Sequence, residues 1–344
     1  MTTEPYYKLP ANTATDIDTY AADITRFQNG QIDAADLKGR RVPRGVYEQR
    51  RDGTVIINNT PSATPTPPPL ELRHGLQVVP QHQHNLYTVH LHTPLGFISA
   101  NDLAALGALA TTFSTEHALR ATITQNLLMR SVKETDLPAL ADALTKLEAD
   151  LISPQALQCF TACAGAATCR LGICLGHQAA RACADLLDTS NLSPAAPPSL
   201  HFNINGCSNA CGQQPIAAIG FFGIALRAHD QLLPAYTVTL GGRCDATGAR
   251  LGENIGKLPA AAMPHFLCDL VADFNTNSTQ GEKFPDYYDR QGKEYFQHLL
   301  QPHTYIPSPT NHPEYYRDFG SNEPFSLAGR GSGECATDLF KPKT

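Results

Sequence analysis

Ten cysteines stand in the 344 residues, and seven of them fall between positions 159 and 211. Two pairs are set apart by their spacing: Cys163-Ala-Gly-Ala-Ala-Thr-Cys169 and Cys207-Ser-Asn-Ala-Cys211, written C-x5-C and C-x3-C. Four thiolates drawn from two loops hold a [4Fe–4S] cube, one per iron. They also make a tetrahedral zinc shell, although zinc knuckles favour shorter spacings than x5. The small residues around the thiols let backbone amides approach cluster sulfides. Unligated core thiols are the third reading, and the residue types alone leave all three open. The start of the chain carries neither a basic n-region nor an apolar h-region, so no secretory signal is expected. A reducing, cytoplasmic setting is the expectation, in which clustered thiols are metal or redox ligands rather than disulfides.

The elements that must position these thiols follow from the pattern around them. Residues 1–75 form an N-terminal arm and linker. The arm, Lys38 to Arg51, carries Lys38, Arg40, Arg41, Arg44, Arg50 and Arg51, and Asn58–Pro69 is rich in Pro and Thr. Residues 76–150 read as strand–helix–strand–helix: a strand over Leu86–His92, a helix Asn101–Phe113 capped by Ser99, a strand Leu119–Leu128, and a helix from Glu134 through Leu147. Residues 151–275 hold the cysteines, strands at His201–Ile204, Ile216–Ile224 and Tyr236–Leu240, and a helix Ala260–Phe274. Residues 276–344 read as a wrapping tail. The fold class is therefore α+β, with residues 76–150 as an α/β-sandwich unit of two helices on a small sheet. Cys159, Cys174, Cys183, Cys244 and Cys268 read as core residues. His74, His82, His84, His90 and His92 are irregularly spaced and read as surface histidines. The net charge of −6 excludes a protein held on nucleic acid by bulk charge, and no apolar run is long enough for a membrane helix. Gly329-Arg-Gly-Ser-Gly-Glu-Cys335 lacks a P-loop ending.

Thr161-Ala-Cys-Ala-Gly-Ala-Ala-Thr-Cys-Arg-Leu-Gly172, then Asn205-Gly-Cys-Ser-Asn-Ala-Cys-Gly-Gln213 and Ile216-Ala-Ala-Ile-Gly-Phe-Phe-Gly223, closely resemble the sirohaem and [4Fe–4S] domain of the sulfite/nitrite reductase family. Thr93-Pro-Leu-Gly96 and Leu119–Leu128 resemble the ferredoxin-like "parachute" half-domain that precedes it. The resemblance runs over about 80–275. Gly45-Val-Tyr-Glu-Gln49 is similar to the segment that opens full-length members.

The resemblance implies that Cys163, Cys169, Cys207 and Cys211 ligate the cube, with Cys211 bridging it to the sirohaem iron as the catalytic cysteine. It implies cofactor contacts from Arg120, Gln125, Asn209, Gly241, Gly242, Arg243 and Arg44. The implied activity is six-electron reduction of nitrite or sulfite to ammonia or sulfide, with a ferredoxin or flavoprotein as donor. No G-x-G-x-x-G opens a βαβ unit for direct hydride uptake from NAD(P)H. Full-length members carry two copies of the half-domain pair, and the first supplies many cations. This chain joins the arm to the second copy, so a homodimer, or a heterodimer with another half-size chain, is expected. Two rival readings are a non-catalytic cluster-binding relay or structural subunit, and a tetrapyrrole-pathway enzyme on the same fold.

Overall fold

The computed structural model describes residues 47–49, 55–57, 77–147, 156–192, 200–245 and 248–328. Arg44 and most of the basic arm, the Pro/Thr linker, His74 and Cys335 lie outside the described residues. The chain divides into two compact units, residues 1–67 with 81–85, and residues 68–80 with 86–344. In the first, β1 (Tyr47–Gln49) pairs antiparallel with β2 (Val55–Ile57).

The second unit opens with an antiparallel sheet of β3 (Gln77–Pro80), β4 (Leu86–Leu91), β5 (Leu119–Ala121) and β6 (Leu127–Lys133), in the order β3-β4-β6-β5. Helices α1 (Ala100–Phe113) and α2 (Leu137–Leu144) complete it. Ser99 caps α1 as its spacing predicts, accepting from Asp102 N at 3.0 Å while its own hydroxyl donates to the Asp102 carboxylate at 2.6 Å. Val89, Leu91, Leu106, Met129, Val132 and Leu140 form one closed apolar core. The expected single strand Leu119–Leu128 is instead a hairpin. Thr122 donates to Asn126 O (2.9 Å), and Gln125 turns the chain with a left-handed φ of 59°.

The larger sheet runs β13-β10-β9-β8-β7. Its strands are β7 (Phe160–Ala162), β8 (Phe202–Asn205), β9 (Ile219–Ala228), β10 (Gln231–Leu240) and β13 (Glu253–Pro259). β7, β8 and β9 are mutually parallel, whereas β9–β10 and β10–β13 are antiparallel. Between β10 and β13 a small hairpin of β11 (Arg243–Asp245) and β12 (Gly248–Arg250) projects. Helices α3 (Gly176–Thr189) and α4 (Met263–Asn277) pack together on this sheet's core. Pro234 is tolerated in β10 because pairing to β13 begins one residue later, at Ala235.

Several expectations are corrected. Residues 284–300 of the supposed wrapping tail form α5 (Phe284–Gln291) and α6 (Lys293–Leu300), which send Phe284, Tyr287, Tyr288 and Phe296 into the second core. Cys244 is exposed on β11 rather than core, because the hairpin stands off the sheet. His92 is buried rather than on the surface, with Nδ1 3.0 Å from Asn126 Oδ1, so it braces the β5–β6 turn. Cys159, Cys174, Cys183 and Cys268 are buried as expected, and the thiol of Cys159 is pushed up to about 12, first by burial and then by Asp188. No helix among the described residues is long and apolar enough to cross a membrane.

Candidate cluster-binding site

The topology brings the two cysteine loops together. Cys163 follows the last residue of β7, and Gly206-Cys207 follows the last residue of β8. Those strands are parallel neighbours, with Ala162 opposite Ile204. Loops leaving the carboxyl ends of adjacent parallel strands emerge at one edge of the sheet. The connection from β8 to β9 is also parallel, which demands a crossover of about a dozen residues. It is made by the second cysteine loop and a short 3-10 turn, Gln214–Ile216.

The thiols of Cys163, Cys169, Cys207 and Cys211 are near enough to act on one another. Burial pushes the Cys163 thiol up, and the charges of Cys211 and Cys169 add to this. Burial likewise raises Cys207, with further contributions from Cys163, Cys169 and Cys211. Opposing these, Cys163 Sγ accepts from Gly206 N at 3.1 Å and from the backbone of Gly165, and Cys207 Sγ accepts from the backbone of Asn209. A cationic centre placed among such thiols favours their thiolate forms. Cys169 and Cys211 are exposed, and Cys163 and Cys207 half-buried. Among the described residues no group of three or more His, Cys, Asp or Glu is gathered as the shell of a single ion.

The loops are stiffened by main-chain bonds centred on Cys174. Its carbonyl accepts from Ala166 N (2.9 Å), and its N–H donates to Gly206 O (2.9 Å), as does Ile173 N (2.8 Å). The Cys174 thiol points away, towards the carbonyls of Ala235 (3.5 Å) and Ile224 (3.6 Å). Gly165 has φ +56°, and a Cβ there would run into Cys174 O and lie 2.8 Å from Gly176 N. Only glycine lets these loops close on each other. The fit to a four-thiolate cluster therefore rests on donor chemistry, mutual proximity and a backbone cradle with amides aimed at sulfur.

The other implied cofactor contacts that lie among the described residues are packed or bonded within the chain. Gln125 grips the edge strand β7: its Nε2 donates to Ala162 O (2.8 Å), and its Oε1 accepts from Ala162 N (2.9 Å). His177 adds its Nε2 at 3.1 Å from the same carbonyl. Arg120 is held by Glu116 at 2.8 Å. Asn209 serves through its backbone, as above. Gly241 (φ +79°) lies under the Tyr288 ring and accepts from Arg250 Nε at 2.7 Å, while Gly242 abuts Ala217 O. Arg243 pairs with Asp286, Arg250 with Asp289 (2.8 Å) and Lys283 with Asp245 (2.8 Å), clamping the β11–β12 hairpin to α5. Sequence reasoning missed Asn203, Asn205, Gln214 and Asp318. The signal for the asparagines was present: two amides at i and i+2 inside a strand that is otherwise apolar.

Residues 79–147 match the family described as the nitrite/sulfite reductase ferredoxin-like half domain. The chain is 32% identical over 206 residues to a ferredoxin–nitrite reductase of Synechococcus elongatus, covering 59% of this chain and 37% of that protein. The structure of the Mycobacterium tuberculosis NirA protein superposes with a TM-score of 0.54 at 22% identity, over 71% of this chain and 44% of that one. Dissimilatory sulfite reductase I gives a TM-score of 0.50 at 12% identity, over 65% of this chain and 70% of that one. The chain thus spans little more than a third of the length of the curated relative. The β3–β6 sheet with α1 and α2 falls within that match, and the cysteine loops follow it in the same compact unit. On these grounds the chain is a member of the sulfite/nitrite reductase family, spanning part of the length of the full-size proteins.

Proposed function

We propose that this chain is the cofactor-bearing half of a nitrite reductase that takes electrons from ferredoxin. The convergence of four thiols from two loops at the carboxyl ends of β7 and β8 carries this reading. Cys163, Cys169, Cys207 and Cys211 would hold a [4Fe–4S] cluster, with Cys211 facing a sirohaem. Together these groups, when bound, would supply one-electron relay and a redox centre that binds and reduces a small anion. The chain's own part is to fix the thiolates, donate backbone N–H bonds to the sulfurs of Cys163 and Cys207, and seal the sheet edge at Ala162 through Gln125. Nitrite is preferred to sulfite as substrate because the relatives matched by sequence at 30% identity or more include ferredoxin–nitrite reductases, whereas the sulfite reductase matches in fold at only 12% identity.

A specific observation favours a second reading. Arg120 and Arg243, expected to face the macrocycle, are each engaged by a carboxylate of this chain. On that reading the chain keeps the cluster and serves as a relay subunit without haem. Anaerobic purification followed by an absorption spectrum and iron and sulfide analysis separates the two. The enzyme reading expects about four irons and four sulfides from the cube, one further iron, and a sirohaem Soret band. Broad cluster absorbance alone supports the relay subunit. Stoichiometric zinc without sulfide overturns both. Cys211→Ser should abolish ammonia formation from nitrite with reduced ferredoxin, whereas Cys174→Ser should retain the cluster.

A further inference from the structure

Strand β8 reads Phe202-Asn-Ile-Asn205 and is buried along its whole length. Successive side chains of a strand face opposite sides. Phe202 and Ile204 join the apolar core, so Asn203 and Asn205 share the other face. They are only 8% and 1% exposed. Buried amides persist where their polar atoms are hydrogen-bonded, and here both converge on one residue. Asn203 Nδ2 donates to Gly212 O at 2.7 Å, and Asn205 Oδ1 accepts from Gly212 N. The remaining amide of Asn205 donates to Gln214 Oε1, itself buried. Gly220, opposite Asn203 in the register, leaves room for this chain of amides, since a Cβ there would lie 3.1 Å from Gln214 Cβ.

Gly212 directly follows Cys211. A Cβ on it would lie 2.8 Å from Asn205 Oδ1, 3.2 Å from Ile204 O and 3.4 Å from Cys163 N. Gly212 therefore sits where the two ligand loops touch. Cys163 N in turn donates to Ile204 O at 3.0 Å. One strand thus holds both loops, the first through its main chain and the second through its asparagine side chains.

We propose that Asn203 and Asn205 are positioning residues: by holding both polar groups of Gly212 they fix Cys211 relative to Cys163. The inference rests on the reading of these cysteines as cluster ligands, but its first test is independent of any cluster. In the full-length apo-protein, amide hydrogen exchange should show Gly212 protected. Asn205→Ala should expose that amide selectively, leaving amides of β9 and β10 protected. In the holoprotein, Asn205→Ala and Asn203→Ala should retain the cluster ten- to a hundredfold less tightly against a chelator, a size typical of residues that support metal ligands. Both should also shift its midpoint potential and EPR signature. Tyr236→Phe, which removes a buried hydroxyl with no hydrogen-bond partner among the described residues, should leave retention and signature unchanged. If Asn205→Ala does not fold, Asn203→Ala, which loses one bond, carries the test alone.

Unchanged Gly212 exchange, or a rise shared equally by the whole sheet, would overturn the proposal. So would a variant cluster with wild-type potential and EPR signature. Should the wild-type chain take up no cluster, the functional reading fails, while the Gly212 exchange still decides whether the asparagines hold the loop.

Discussion

At the scale of single residues, His201 has the clearest consequence for stability. Its Nε2 lies 2.7 Å from Thr161 Oγ1, joining β7 to the residue that precedes β8, and burial holds its pKa down to about 4. The unfolded side chain titrates near 6.5. Between these values the unfolded chain binds a proton that the folded chain does not. Stability contributed by neutral His201 is therefore complete above about pH 6.5 and is lost as the pH falls towards 4, by up to about 3 kcal/mol. His201→Gln should flatten that part of the dependence. The check is the difference between wild-type and variant urea midpoints across the window; parallel curves would show that His201 is not held neutral.

At the scale of elements, two side chains carry contacts that neither partner segment makes alone. Gln125 supplies β7 with the hydrogen bonds an edge strand lacks, and does so from the turn of the β5–β6 hairpin. Gln125→Ala leaves the buried Ala162 N–H without its acceptor, at a cost of about 1–3 kcal/mol. Urea unfolding should show this loss, together with weaker cluster retention, because Cys163 is the next residue. Asp318 acts from the far end of the chain. It is buried, accepts from Leu175 N at 2.8 Å and Phe319 N at 2.9 Å, and so caps the residue from which α3 starts. Asp318→Ala should cost about 2 kcal/mol. Its effect should be visible as faster amide exchange in the first turn of α3, beside Cys174. A variant with wild-type exchange there would mean that the 305–328 segment does not support the cluster loops.

At the scale of the whole molecule, the prediction concerns cations. A sirohaem presents many carboxylates, and each left unpaired in a partly desolvated cleft costs about several kcal/mol. Arg120, Arg243 and Arg250 are already engaged by Glu116, Asp286 and Asp289. The matching charge is therefore expected from Arg44 and its basic neighbours between Lys38 and Arg51, or from a second chain. Deleting residues 1–60 should lower haem occupancy and nitrite affinity while leaving cluster iron and sulfide near wild type. Sedimentation should find the haem-loaded species as a dimer. A truncated monomer with full haem and full turnover would place the cations elsewhere in this chain.

What the sequence determined by itself was local and chemical. The C-x5-C and C-x3-C spacings selected the four thiols, Ser99 marked the start of α1, and alternation marked β4, because each signal is carried by neighbours along the chain. Spacing alone makes Thr122–Asn126 strand, because its turn depends on a left-handed Gln125, a residue type that gives no such warning. Helices α5 and α6 were missed for a different reason. Phe284, Tyr287 and Tyr288, and then Phe296 and Leu300, do fall at helical spacing, but each run is only eight residues long and is held as helix by the core that receives it. Gln125, Arg120 and Arg243 were read as cofactor contacts from their place in a motif. Which atoms they touch was decided by the tertiary structure, through Ala162, Glu116 and Asp286. Asp318 acts across the fold on Leu175, as Gln125 does on Ala162. Such pairings arise from strand order and the path of the tail, and spacing along the chain does not encode them.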